Sequence, residues 1–138
     1  MPTRPRVLHF DVSVDRERVA SSALGGTRIQ PEAEWWAEHL VLAGLLRCTL
    51  TSLDYSARRA GLTATGSGKA HAKVTKREED GLYALVEIET QFDIELDPPP
   101  DDEATRELLR HTERGCFVSN SLTASPRHRW VVNGQALS

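Results

Sequence analysis

The chain is short of most of what a metal-binding, nucleic-acid-binding or membrane protein would need. It has two cysteines in 138 residues, Cys48 and Cys116, far apart and in neither a CxxC nor an HxxxH setting. Two such residues are too few for a zinc site without help from histidine, so no metal is expected. No excess of basic charge exists: 17 Lys and Arg stand against 20 Asp and Glu, and the net charge is −3. Nucleic acid and anionic membrane are therefore not expected partners. No long hydrophobic run occurs either. The longest, Leu40 to Leu53, is too short to span a bilayer and carries Arg47. The segment "MPTRPRVLHFDV" holds no apolar stretch of signal-peptide length, so a cytoplasmic chain with reduced thiols is expected. No repeat and no break in composition divides the sequence, so residues 1–138 are expected to form one domain.

What is present reads as an α+β chain. "VLHFDVSVD" alternates, with Leu8, Phe10, Val12 and Val14 on one face, which predicts a half-buried strand. "RVASSAL" follows as its hairpin partner after a turn near Asp15 to Glu17. Gly25 and Gly26 break a loop. Pro31, Glu32 and Glu34 suit a helix start, and the helix is expected to run to about Ala60 with Gly61 as its C-cap. This helix is apolar on nearly every face, so it should be buried on all sides. At roughly 30 residues it would be about 45 Å long, more than a chain of this size covers. A second chain is expected to help bury it.

Downstream, "TATGSGKAHAKVTKREED" and "GLYALVEIETQFDIEL" form a long hairpin with Asp80-Gly81 at the turn. Val86, Ile88, Thr90, Phe92, Ile94 and Leu96 face one way; Glu87, Glu89, Gln91, Asp93 and Glu95 face the other. Lys69, His71 and Lys73 could pair with those acids across the strands. "DPPPDD" is a connector, "DEATRELLRHTER" a short amphipathic helix ending at Gly115, "FVSNSLTA" one or two further turns, and "RHRWVVNG" a terminal strand.

Candidate chemistry gathers on the cysteines. An unpaired buried cysteine ordinarily behaves as a small hydrophobe. Arg47 and Glu38 in the same apolar helix favour more, because ionisable groups are seldom buried without a partner, and a guanidinium near a thiol favours thiolate. Cys116 follows Gly115 and precedes a possible helical turn, whose N–H groups would lower a thiol pKa. His39 reads as structural and His71 as solvated. "SLDYS" lacks the GxSxG turn of a serine hydrolase, and "TGSGK" lacks the strand–loop–helix setting of a phosphate loop, so it reads as a Gly-rich strand.

Together "EHLVLAGLLRC" and the distant "RGCFVSNSL" resemble the OsmC/Ohr family, the osmotically inducible and organic hydroperoxide resistance proteins. The resemblance covers nearly the whole chain. It implies an α+β, OsmC-like fold: antiparallel sheets packed on a long central cysteine-bearing helix, in an intertwined homodimer. It also implies a thiol-dependent peroxidase that reduces organic hydroperoxides without metal or bound cofactor. Cys48 would become a sulfenic acid, Cys116 would close a disulfide with it, and an external dithiol of the dihydrolipoamide type would reduce that bond. Glu38, ten positions before Cys48, matches the family's supporting Glu. Arg28, twenty positions before, matches the supporting Arg of the OsmC branch; Arg16 or Arg18 would serve in the Ohr arrangement. Gly115, Cys116, Val118 and Ser119 match the turn around the second cysteine. Ala37 and Phe117 stand where the family usually has proline, and Arg47 where a small residue is usual. Trp35, Trp36, Leu40, Leu45 and Phe117 are candidates for an apolar peroxide pocket. The alternatives are a dimeric non-catalytic binding or redox-sensing protein on the same scaffold, and thiol–disulfide exchange with protein partners, which the lack of CxxC disfavours.

Overall fold

A computed structural model describes residues 5–137. They fall into two compact units, Met1–Ala37 and Glu38–Ser138. The first holds the expected hairpin, β1 (Val12–Val14) and β2 (Ala20–Ser22), paired antiparallel with Val12 opposite Ser22. Asp15 shapes its turn: one carboxylate oxygen accepts the N–H groups of Glu17 at 2.9 Å and Val19 at 3.0 Å. Arg18 sits there at φ 69°. The strand is shorter than the alternation predicts, and it is not half-buried. Phe10 is 78 % exposed and Val12 71 %. The apolar face exists, but nothing within its own unit lies against it.

The second unit begins with α1 (Ala37–Arg59). The expected start at Pro31 is wrong. Residues 30–35 make turns instead, with Glu32 N–H to the Gln30 carbonyl at 2.9 Å and Trp35 N–H to the Glu32 carbonyl at 3.0 Å. Prolines and acids suit a first helical turn, but they suit such turns equally. The 23-residue helix is about 35 Å long. Its C-terminus is as expected. Gly61 at φ 77° donates to the Arg58 carbonyl and Leu62 to that of Ala57, the paired bonds of a Schellman ending. Within the single chain only part of the helix surface is buried. Leu45, Thr49, Leu53 and Ala57, each four residues from the last, form one buried stripe, while Leu40 and Val41 stay exposed.

The stripe packs on a four-stranded sheet in which β3 (Thr63–Lys76), β4 (Tyr83–Asp97), β5 (Arg127–Val132) and β6 (Gln135–Leu137) lie in that order, and β4 and β5 supply its buried residues. β4 buries Ile88, Thr90, Phe92, Ile94 and Leu96, as its alternation requires. Opposite them β3 presents Ala72, Ala70, Gly68, Gly66 and Ala64, all small. The reason is space. A Cβ on Gly68 would come within 2.8 Å of the Phe92 ring and 3.2 Å of Leu46 from α1. The β3–β4 loop is held by the Arg77–Asp80 ion pair at 2.7 Å and turned by Gly81 at φ 71°. The Arg77 guanidinium holds the Asp80 carboxyl below its usual range.

Across the solvated face, Lys73 stands opposite Glu87 and His71 opposite Glu89. Glu89 is ion-paired with Arg127 from β5. That neighbour runs parallel to β4, so Trp130 lies beside Phe92 and their rings stack at 4.6 Å. β6 (Gln135–Leu137) was not expected; it returns antiparallel to β5 after a turn at Asn133-Gly134. Helix α2 (Asp102–Arg114) is capped by Asp101, whose carboxylate accepts the Ala104 N–H at 2.7 Å. It adds Leu108 and Leu109 to a core of Leu53, Phe92, Ile94, Leu96, Trp130 and Val132. Among the described residues no helix is long and apolar enough to cross a membrane.

Candidate active site

A second, smaller cluster lies apart from that core. Leu45, Ile88 and Cys116 are its buried centre, and Cys48, Leu42, Ala72, Leu85 and Ala124 pack around them. The two cysteines, 68 residues apart in sequence, therefore meet. Both are free thiols, Cys48 half-buried and Cys116 fully buried.

Local structure explains the meeting. Cys48 stands beside Thr49 of the buried α1 stripe. Cys116 is delivered by the end of α2 and the start of α3 (Phe117–Ser121). Gly115 between them closes α2 through its N–H to the His111 carbonyl at 3.0 Å. It also passes so near α1 that a Cβ there would lie 2.7 Å from the Ser52 hydroxyl oxygen. Ser52 donates to the Thr112 carbonyl at 2.7 Å, tying α1 to the last turn of α2. Glycine is needed at 115 for close approach, not for an unusual φ.

Cys116 is the better defined of the two sulfurs. Thr49 Oγ1 lies 3.3 Å from its Sγ and 2.9 Å from the Leu45 carbonyl. Burial pushes the Cys116 thiol up from its ordinary value. The Thr49 hydroxyl and the Ser119 N–H pull it down, and neighbouring Cys48 raises it further. The expected lowering at a helix start is thus present but outweighed, because removing a thiolate from water costs more than a short helix returns.

The other candidates are divided between the two units. Glu38 is exposed in the first turn of α1, about 15 Å along the axis from Cys48, so one helix does not bring them together. Arg28 is exposed in the loop of the N-terminal unit, and Arg16 and Arg18 in its hairpin turn. Arg47 is exposed on α1. Trp35 and Trp36 are exposed ahead of α1, and the Trp36 indole donates to the Ala33 carbonyl at 3.2 Å. Leu40 is exposed. Leu45 is buried inside the cysteine cluster, and Phe117 is exposed at the head of α3. His39 and His71 are both exposed.

Two features went unread in the sequence. Thr49 is one; a helical threonine that bonds back to the carbonyl four residues earlier is ordinary, so nothing marks it. The other is a cleft of about 360 Å³ lined by Thr75, Arg77, Leu85, Val86, Thr123 and Ala124, of which Leu85 and Ala124 also border the thiols. None of the expected pocket residues lines it. Among the described residues no three His, Cys, Asp or Glu side chains converge as metal ligands would.

The fold has many counterparts among solved structures. An OsmC-like protein of unknown function from Vibrio cholerae O1 biovar eltor str. N16961 superposes with a TM-score of 0.72 at 11 % identity, over 91 % of this chain and 100 % of that one. An organic hydroperoxide resistance protein from Elizabethkingia anophelis, with thiocyanate bound, gives 0.64 at 15 % identity over 94 % and 98 %. The organic hydroperoxide resistance protein OhrB of Bacillus subtilis gives 0.56 at 17 % identity over 91 % and 96 %. No curated protein matches the sequence. The family described as OsmC-like protein matches residues 31–131, a span that contains both cysteines, the long helix and the whole β3–β4 hairpin. The chain belongs to the OsmC-like protein family.

Proposed function

We propose that the protein is a thiol-dependent peroxidase that reduces organic hydroperoxides to alcohols. The observation that carries this is the meeting of the two free thiols, Cys48 and Cys116, within an OsmC-like fold. Its support from relatives is that two of the three structures named above are organic hydroperoxide resistance proteins.

Cys48 is the attacking thiolate, because it is the less buried of the two. Its sulfur takes the outer peroxide oxygen, the O–O bond breaks, and the alkoxide leaves and picks up a proton to become the alcohol. Cys48 is then a sulfenic acid. The Cys116 thiolate attacks that sulfur; the S–S bond forms, the S–O bond breaks, and hydroxide leaves as water with one proton. One hydroperoxide has consumed two thiols. An external dithiol of the dihydrolipoamide type returns both electrons and restores the thiols. In this reading Arg28 stabilises the Cys48 thiolate and the leaving oxygen, and Glu38 orients Arg28. Arg16 or Arg18 is the alternative support.

The protein works as a homodimer. Phe10, Val12 and Val14 of the N-terminal unit and Leu40 and Val41 of α1 are exposed in the single chain. Apolar surface of this kind is covered in a stable protein, and a second copy would also supply Arg28 and Glu38 from across the interface. The compartment is a reducing one, where a disulfide is transient.

The test is a thiol count on the reduced protein after one equivalent of cumene hydroperoxide, with hydrogen peroxide alongside and peptide mapping of the product. Rapid loss of both thiols into a Cys48–Cys116 bridge, faster with the organic peroxide, is expected. Survival of both thiols in a folded dimer would replace this reading with that of a non-catalytic binding protein.

A further inference from the structure

The buried stripe of α1 contains one residue that burial does not explain. Leu45, Leu53 and Ala57 are apolar; Thr49 is fully buried with a hydroxyl. Its Oγ1 has one hydrogen and two neighbours, the Leu45 carbonyl at 2.9 Å and Cys116 Sγ at 3.3 Å. With a Cys116 thiol, that hydrogen goes to the carbonyl and the S–H donates to the oxygen. With a thiolate, the hydroxyl turns and donates to sulfur instead. Three other threonines bond back along their helices: Thr51 to Arg47, Thr105 to Asp101 and Thr112 to Leu108. Each of the three bonds to a backbone carbonyl and not to sulfur. Thr112 is equally buried and serves as an internal control.

The apolar cluster around Cys116 is built from Leu45 and Leu42 of α1, Ala72 of β3, Leu85 and Ile88 of β4, and Leu122 and Ala124 after α3, and the Ser119 N–H also acts on the sulfur. Cys48 is the titratable side chain packed in the cluster, and it opposes a charge on Cys116. Glu113 offers its carbonyl to the Cys116 N–H at 3.4 Å, and its own carboxyl is half-buried. The groups that shift the Cys116 thiol, Thr49, Ser119 and Cys48, include no cation.

We propose that Thr49 is a catalytic residue of the second half-reaction: its hydroxyl stabilises the Cys116 thiolate and thereby sets the rate at which Cys116 closes the disulfide. This rests on the peroxidase reading for its place in the cycle, but not for its effect on the sulfur. The Cys116 S–H proton leaves to solvent or to the departing hydroxide; the threonine supplies a hydrogen bond and no proton. A hydrogen bond to a charged group removed from a buried site corresponds to about ten- to a hundredfold in an equilibrium.

The experiment has two arms. In the Cys48→Ser background, the Cys116 thiolate is titrated by its absorbance near 240 nm. Adding Thr49→Val should move the midpoint upward by about one pH unit or more. Thr49→Ser should restore it, and Thr112→Val should leave it in place. An unmoved midpoint with Thr49→Val, or an equal shift with Thr112→Val, overturns the proposal. In the two-cysteine protein, one equivalent of cumene hydroperoxide is added and sulfenic acid is trapped with dimedone. Thr49→Val should slow disulfide closure at least about tenfold relative to Cys48 oxidation, with sulfenic acid accumulating. Closure at the parent rate overturns the kinetic role. If the parent protein itself forms neither sulfenic acid nor disulfide, the peroxidase reading fails, while the titration still decides what Thr49 does to the sulfur.

Discussion

Cys48 and Cys116 share one cluster and differ in nearly everything else. Cys48 stands on a long helix, half-exposed, held by a rigid element. Cys116 lies at the head of a five-residue helix, fully buried, with Thr49 at its sulfur. A thiol that must meet a dissolved substrate needs access. A thiol that must react only with its neighbour gains from being out of reach, and its pKa is pushed up by that same burial. The difference teaches that solvent access separates the two sulfurs where sequence context does not, since both cysteines are flanked by helix.

The sharpest break of this comparison is to remove each sulfur in turn. If the proposed peroxidase reading holds, Cys48→Ser should lower hydroperoxide reduction by at least about a thousandfold, because that reading makes Cys48 the nucleophile; a coupled peroxide-consumption assay measures it. Cys116→Ser should keep the first turnover and cut steady-state turnover by on the order of tenfold to a hundredfold, since an adjacent thiol acts at high effective concentration. Equal losses from the two variants would show that the thiols are not divided in role. A gentler change erases the burial itself. Ile88→Ala should cost about 2–5 kcal/mol in urea unfolding, and should raise the rate at which iodoacetamide alkylates Cys116 in the folded protein. An unchanged alkylation rate would mean that Ile88, 2 % exposed, is not what screens the sulfur.

The smallest effects are in pH. Burial raises the Cys116 thiol, so its contribution to stability is intact below an ordinary thiol value of about 8.5 and is lost as pH rises through the folded value. Cys116→Ser should flatten that alkaline limb of a thermal-melt series. His128 supplies the opposite case away from the sulfurs. Burial lowers its pKa, and its Nδ1 lies 2.6 Å from the Thr90 hydroxyl. Its contribution is intact above about 6.5 and is lost as pH falls through the folded value. His128→Asn should flatten the acid limb alone; loss of both limbs in either variant would show that the two groups are coupled.

Much of the fold was legible. The β3–β4 hairpin followed from strict alternation and an Asp-Gly turn, and α2 from its amphipathic pattern and Gly115. The strand β6 escaped because Gln135 to Leu137 is too short to show a period. The start of α1 was placed too early because Pro31, Glu32 and Glu34 serve a turn as well as a helix. The site was legible as a pair of cysteines but not as a geometry. The rise of the Cys116 pKa comes from side chains of β3, β4 and α1, which no local spacing encodes, and Thr49 is marked only by what lies across from it.

The bare inner row of β3 has a further consequence. Ala64, Gly66, Gly68, Ala70 and Ala72 leave room that Ile88, Phe92, Ile94 and Leu46 use. Volume is therefore held in common across the strand pair, and neither strand can change alone. In a library randomised at 68 only, survivors should be almost all glycine; randomised at 68 and 92 together, larger residues should return at 68 wherever 92 has shrunk. The strand that looks least informative is the one whose mutations would be read through its neighbour.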